Sequence, residues 1–127
     1  MNNYAQKLNM NHTSFSNPHG LTHNQNLSSV YDLAILSAKA MQNEKFRKIV
    51  RTQNHIATII NGKLTRQVIY KNTNKVLGNG FIGLKTGTTS GAGNCISLNF
   101  VNLKKEIDVM IILLNCSSDK QRWEDSN

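Results

Sequence analysis

The sequence predicts an α+β fold in which helices come first and an antiparallel sheet follows. Apolar residues recur at helical spacing up to about residue 50, and β-type segments then flank the pair Asn61-Gly62. Three short apolar segments after residue 80 predict the strands of a core sheet. We therefore expect a single unit over residues 1–127, with a helical segment at 1–50 and a hairpin plus core strands at 51–127.

The helical segment begins with a predicted amphipathic helix. Met1, Tyr4, Ala5 and Leu8 have the i, i+3, i+4, i+7 spacing of one helical face. An irregular stretch follows at 11–26, where Pro18 and Gly20 indicate a loop. Met1 would start the first helix with no residue before it to cap the helix, which favours a segment that once continued upstream.

Two further helices are predicted before residue 51. Ser29 has the character of an N-cap, and the helix after it should bury a set of apolar side chains: Leu33, Ala34, Leu36, Ala40 and Met41. The next helix, about Asn43 to Val50, should place Phe46, Ile49 and Val50 on one side.

The remaining residues predict strands, in order along the chain. Asn61-Gly62 between His55–Ile60 and Leu64–Tyr70 is a strong hairpin signal. Three core strands then follow at Phe81–Thr86, Cys95–Leu103 and Ile107–Leu114, and the end, 119–127, predicts the start of a helix. The last of these strands is almost wholly apolar, which is typical of a strand covered on both faces.

The charge distribution is uneven. The formal net charge is +8, and nine Lys or Arg residues face one acid, Glu44, between Lys39 and Lys75. Such a surface can attract nucleic acid, so nucleic-acid binding stands as the last-ranked alternative. No aromatic residues alternate with the basic ones as in a stacking surface, and we therefore expect a solvated cationic face and no nucleic-acid partner.

Composition also bears on membranes, metals and redox chemistry. No apolar run reaches the roughly 18 residues that a membrane span needs, and residues 1–7 lack a signal-peptide core, so localisation cannot be deduced from this N-terminus. The histidines His12, His19, His23 and His55 show no metal-ligand spacing, and we expect no metal and no cofactor. Cys95 and Cys116 end apolar runs and should be buried free thiols.

The motif with the most chemical content is Lys85-Thr86-Gly87, within Gly83-Leu84-Lys85-Thr86-Gly87-Thr88-Thr89. A Lys-Thr-Gly strand is one of three motifs of active-site-serine, penicillin-recognising enzymes. An ammonium and a hydroxyl at a strand end suit a ligand carboxylate. A glycine there lets a peptide approach the strand backbone.

Several separate stretches, in order along the chain, resemble the serine-type D-alanyl-D-alanine carboxypeptidases, which are low-molecular-mass penicillin-binding proteins. The matching residues are Met1-Asn2 with Ala5, Leu8 and Met10, then Thr13, Phe15, Asn17, Pro18, Gly20 and Leu21, Asp32-Leu33-Ala34, Asn72-Thr73-Asn74 with Leu77, the Lys-Thr-Gly stretch, Ala92-Gly93-Asn94-Cys95, and Arg122-Trp123.

The resemblance implies part of a penicillin-binding-protein/β-lactamase-like transpeptidase fold, namely the second half of its catalytic domain. It implies that Lys85 and Thr86 bind the carboxylate of a D-Ala-D-Ala-terminated peptide or a β-lactam. It also implies that Gly87 admits the peptide and that the Thr88 backbone N–H is an oxyanion donor. Thr88 stands where the family commonly has an aromatic residue or His, so side-chain packing on substrate is weaker there. The family further implies an extracytoplasmic location and a missing N-terminal half as a partner.

The sequence contains no credible nucleophile. In the family the Ser-x-x-Lys and Ser-x-Asn motifs lie upstream of the position matched by Met1. Ser117-Ser118-Asp119-Lys120 and Ser97-Leu98-Asn99 fit these motifs by letters only. We therefore expect a fragment that is inactive alone. The alternatives are a non-catalytic remnant that binds peptidoglycan-type ligands and a β-lactamase-like serine hydrolase, and the matches at Phe15–Leu21 and Asn72–Asn74 favour the carboxypeptidase over the latter.

Overall fold

The computed structural model describes residues 1–126 and, as predicted, places three helices before the sheets and a short helix after them. The helices are α1 (Asn2–Lys7), α2 (Val30–Met41), α3 (Glu44–Val50) and α4 (Asp119–Glu124). The strands are β1 (Asn54–Asn61), β2 (Leu64–Lys71), β3 (Phe81–Thr89), β4 (Gly93–Asn102) and β5 (Ile107–Cys116), and a short 3-10 turn joins β4 to β5.

The strands form two separate antiparallel sheets. β1 and β2 pair with each other as a hairpin, while β3, β4 and β5 form a sheet in that order. β4 is central and supplies the deepest core side chains: Leu98 is fully buried and Ile96 is 2% exposed. The expectation for Ile107–Leu114 is wrong, because β5 is the outer strand of the described sheet and is mostly half-buried, with Val109 exposed. An apolar sequence therefore does not by itself show that both faces of β5 are covered. The burial of β5 depends on the elements that pack against it.

The predicted apolar faces of the helices are less buried than expected. In α1 only Ala5 is buried, while Met1 and Tyr4 are exposed. The buried residues of α2 are polar, Asp32 and Ser37, and its predicted apolar residues are half-buried. These short helices lie over a small core, so only one residue of α1 and two of α2 are buried, and the other residues are half-buried or exposed.

Asp32 holds the helical segment together. It is 1% exposed and accepts hydrogen bonds from Thr13 Oγ1 (2.7 Å) and the His12 backbone N–H (2.8 Å). The Thr13 hydrogen bond, and then the His12 amide, lower the pKa of Asp32 below its ordinary value despite its burial. These contacts fix the chain after α1 to the first turn of α2, where Ser29 Oγ accepts the Asp32 N–H as the predicted N-cap.

The hairpin turn is shifted by one residue from the prediction. Asn61 pairs with Leu64 at the ends of the strands, so the two-residue loop is Gly62-Lys63. Gly62 has φ +60°. Glycine at the first loop position is the pattern of a type II′ turn, which suits the twist of the flanking strands.

Candidate functional site

The predicted site residues lie together at the end of β3. Lys85, Thr86, Gly87 and Thr88 pair with Ser97, Ile96, Cys95 and Asn94 of β4. The register shifts just before them, between Gly83 and Lys85, so Leu84 is an extra residue in β3. A bulge re-aims the side chains that follow it and is common beside functional sites. Nothing in the sequence had indicated it.

The four residues differ in exposure. Lys85, Gly87 and Thr88 are exposed, whereas Thr86 is 9% exposed. The Lys85 ammonium donates to the Thr86 carbonyl oxygen. An ammonium has three N–H donors, so two others remain to bind an anion. A Cβ atom added at Gly87 would meet nothing within 4 Å, so the space next to this glycine is open.

These residues line a groove of about 1200 Å³. Its other walls come from α2, from the loop after β2, from β4 and from α4, including Leu33, Ser37, Thr73, Ile96 and Trp123. Because β3 is the outer strand of the described sheet on this side, its free edge and the groove lie together. The arrangement suits an extended ligand that carries an anionic end.

Arg122 secures the end of β3, a role that sequence reasoning missed. It is 6% exposed, and its Nη1 donates to the carbonyl oxygens of Gly87 (3.2 Å) and Cys95 (3.3 Å) and to Thr88 Oγ1 (3.0 Å). Thr88 Oγ1 in turn donates to Asn94 Oδ1 (3.2 Å). One guanidinium therefore ties α4 to both β3 and β4 where the site lies. In the sequence, Arg122 stood out only as part of the resemblance at Arg122-Trp123, which did not indicate the residues that it contacts.

Asp119 connects α4 to the loop after β2. It pairs with Lys75 Nζ at 2.9 Å and also with Arg122. The Lys75 hydrogen bond is the main cause that lowers the pKa of Asp119, followed by a hydrogen bond from Trp123. Both cations also lie over the Trp123 ring, with Arg122 Cζ 4.6 Å from its centroid.

Asn72 and Asn74 stabilise the loop after β2. Asn72 Nδ2 donates to the carbonyl oxygens of Val50 (3.2 Å) and Thr52 (3.0 Å), and Asn72 Oδ1 accepts the Asn74 N–H (2.9 Å). Asn74 Oδ1 accepts the Val76 N–H at 3.1 Å. Thr73, between them, has its Oγ1 2.7 Å from Thr86 Oγ1.

Two stretches fit the nucleophile motifs by letters, and the structure gives structural partners to several of their residues. Ser97 Oγ is hydrogen-bonded to Ser37 Oγ (2.9 Å), and Asn99 donates to Asp108 Oδ1 (2.7 Å) and to the Val109 carbonyl oxygen (3.0 Å). In the other stretch Ser117, the serine at the first motif position, is exposed, and Ser118 caps α4 by accepting the Gln121 N–H. Lys120 pairs with Glu124 at the surface (3.1 Å).

Other candidate residues of the sequence are placed as follows. His19 lines the groove, and its Nδ1 accepts the Leu21 N–H (3.1 Å). Cys95 and Cys116 are free thiols, but they are half-buried rather than buried, and desolvation raises the pKa of Cys116. Within residues 1–126, no cluster of three His, Cys, Asp or Glu side chains could hold a metal, and no helix is long and apolar enough to cross a bilayer.

Comparisons with known proteins point to one family. The sequence model of the D-alanyl-D-alanine carboxypeptidase family matches residues 1–118. The chain is 33% identical to the D-alanyl-D-alanine carboxypeptidase DacD of Escherichia coli over 127 residues, covering 99% of this chain and 31% of that protein. It is 29% identical to DacF of Bacillus subtilis over 124 residues, with 96% and 31% covered.

Solved structures agree with this match. The Streptomyces K15 DD-transpeptidase superimposes with a TM-score of 0.88 at 28% identity, covering 98% of this chain and 48% of that one. Penicillin-binding protein D2 of Listeria monocytogenes, in its cefotaxime-bound form, gives a TM-score of 0.80 at 28% identity, with 98% and 49% covered. The chain thus spans about a third of the length of the curated relatives it matches and about half of these solved chains.

Proposed function

Since this chain belongs to the D-alanyl-D-alanine carboxypeptidase family, we propose that the Lys85–Thr88 end of β3 binds the carboxylate end of a D-Ala-D-Ala-terminated peptide or of a β-lactam. The observation that carries the proposal is the groove itself. An exposed ammonium, a hydroxyl and a glycine with open space above it lie in sequence along one free strand edge.

Each residue has a distinct role. Lys85 supplies positive charge for the carboxylate and favours the ionised form of a nucleophile nearby. Thr86 donates its hydroxyl hydrogen to the same carboxylate. Gly87 lets the ligand backbone lie against β3, and the Thr88 backbone N–H is one donor to the oxyanion of an acyl-transfer reaction.

The reaction of the whole protein is serine-type hydrolysis of the terminal D-Ala-D-Ala bond through an acyl-enzyme. Ser97 is hydrogen-bonded to Ser37, and Lys120, the lysine of the Ser117–Lys120 match, pairs with Glu124 at the surface. We therefore propose that the chain by itself binds ligand and does not acylate.

The test is calorimetric titration of the 127-residue chain with two synthetic N-acetylated peptides, one ending in D-Ala-D-Ala carboxylate and one in the corresponding amide. The carboxylate peptide should bind more tightly. Lys85→Met should weaken its binding by about 10- to 100-fold, the range for a lost hydrogen bond to a charged group. Gly87→Ala should weaken the binding of both peptides without loss of folding, because the added Cβ atom would meet no heavy atom of the protein within 4 Å and would occupy the space open to a ligand.

Lys63→Met is the matched control, because Lys63 is an exposed lysine at the hairpin turn and does not line the groove. Intact-mass analysis after incubation with penicillin should show no covalent adduct. Equal affinity for the two peptides, or equal effects of the two lysine substitutions, would refute carboxylate recognition by Lys85. A stoichiometric penicillin adduct would instead show that the chain contains its own nucleophile and acts as a serine hydrolase.

A further inference from the structure

The hydroxyls of Thr73 and Thr86 form a pair that carboxylate binding alone does not explain. Their oxygens are 2.7 Å apart, the usual separation of an O–H···O hydrogen bond. A threonine hydroxyl has one hydrogen to donate and two lone pairs to accept. One member of the pair must therefore donate and the other accept, and the direction decides where the hydrogen of Thr86 points.

We propose that Thr73 is a positioning residue that donates to Thr86 Oγ1, so that the hydrogen of Thr86 is free to be donated to a ligand carboxylate. This inference rests on the proposed function. If Thr86 donated to Thr73 instead, it would have no hydrogen left for the anion. An anion in the groove favours the first direction, because a hydroxyl that accepts a hydrogen bond becomes a better donor.

Exposure supports this assignment. Thr86 is 9% exposed, whereas Thr73 is exposed. The Thr73 oxygen can therefore accept hydrogen bonds from water while its hydrogen goes to Thr86. The buried Thr86 depends on Thr73 for a partner until a ligand arrives.

The loop around Thr73 is fixed on both sides. The Asn72 side chain binds the carbonyl oxygens of Val50 and Thr52 and the N–H of Asn74, and the Asn74 side chain binds the N–H of Val76. The side chains of Asn72 and Asn74, on either side of Thr73, thus form hydrogen bonds with backbone groups. The Thr73 hydroxyl is directed to β3.

Gly83 allows this loop to lie against β3. A Cβ atom at Gly83 would come within 2.5 Å of Asn74 Nδ2 and 2.8 Å of Leu77 Cδ2. Asn74 is itself 7% exposed, so the contact is enclosed. The loop that carries Thr73 therefore lies directly against β3, two residues before Lys85.

A purely structural bond between the loop and β3 is the competing explanation, and a double-mutant cycle separates the two. The variants are Thr73→Val, which keeps the branched shape and removes the hydroxyl, Thr86→Val, and the double variant. Thr73→Ser is the conservative variant that retains the hydroxyl. Each is titrated with the carboxylate- and amide-ended peptides used above.

Thr73→Val should lower the affinity for the carboxylate peptide by about 3- to 10-fold, the range for one neutral hydrogen bond. The affinity for the amide peptide should not change. Thr73→Ser should restore wild-type affinity. In the Thr86→Val background, Thr73→Val should have no further effect. If Thr73→Val fails to fold, Thr73→Ala removes the same hydroxyl at an exposed position and is subject to the same expectations.

Three results would overturn the role of Thr73. The first is that Thr73→Val weakens the binding of both peptides equally. The second is that Thr73→Val weakens binding as much in the Thr86→Val background as in the wild-type chain. The third is that Thr73→Val still prefers the carboxylate peptide as the wild type does, while Thr86→Val loses this preference. These leave the proposed function intact. If the wild-type chain does not distinguish the two peptides, the proposed function fails, and the role of Thr73 fails with it.

Discussion

The hairpin and the three-stranded sheet are both antiparallel, yet their side chains have opposite environments. In the hairpin, Ile60 is 71% exposed and Leu64 is 77% exposed. In the sheet, Leu98 is fully buried and Ile96 is 2% exposed. Both were predicted from the same kind of pattern, apolar β-type residues in short segments.

The difference comes from what covers each sheet. α2 packs on β4 and β5, α3 contacts β3, and α4 packs on β4 and β5. The hairpin strands pair chiefly with each other, and an isolated two-stranded sheet is marginally stable in water. Backbone pairing alone thus does not bury a strand. The proposed site lies on the covered sheet, where its residues are held in place.

Replacing a core side chain of the sheet should have the largest effect on stability. Leu98→Ala removes the fully buried side chain of the central strand and leaves a cavity. We expect a loss of about 2–5 kcal/mol in the free energy of unfolding, measured by urea denaturation followed by circular dichroism. A loss below about 1 kcal/mol would mean that the sheet collapses around the gap and is as loosely covered as the hairpin.

Low pH should destabilise the part of the fold that holds Asp32 and Asp119, and it should leave the pairing of β1 with β2 unchanged. The hairpin, residues 54–71, contains no Asp or Glu. Asp32 and Asp119, both with lowered pKa values, lie in the helical segment and in α4. A carboxyl whose pKa is lower in the folded state stabilises it above the unfolded-state pKa, and this stability is lost as pH falls through the folded-state value.

Unfolding free energies measured between pH 7 and pH 2 should therefore decrease below the ordinary Asp pKa of 3.8. Asp32→Asn should lower stability at pH 7 and flatten this acid decrease. Glu106→Gln, a change at an exposed carboxyl after the 3-10 turn, is the control and should do neither. An unchanged acid profile in Asp32→Asn would show that Asp32 does not contribute to the pH dependence.

Local signals predicted the elements well. Ser29 caps α2 with the expected side-chain hydrogen bond, and the helices and strands start and end within a few residues of their predicted positions. The Lys-Thr-Gly motif led to the candidate site, and the structure places that motif on β3. Each of these features depends on residues that are close together in the sequence.

The contacts that hold the site could not be predicted in this way. Arg122 reaches Gly87 across 35 residues, and Thr73 reaches Thr86 across 13. The bulge at Leu84 depends on the register with β4, which no single segment specifies. The predicted burial of α1 and β5 was wrong for the same reason. The burial of a segment is determined by the elements that pack against it and not by its own sequence pattern.

The smallest effect should come from the hairpin surface. Ile60→Ser replaces an apolar side chain that is 71% exposed and paired across the strands with Thr65. Because this side chain loses little water contact on folding, we expect the free energy of unfolding to change by no more than about 0.5 kcal/mol in urea denaturation. The polar residue should also improve solubility, since it breaks up an exposed apolar surface. A loss approaching that of Leu98→Ala would mean that the hairpin is covered in solution, and the contrast between the two sheets would then not hold.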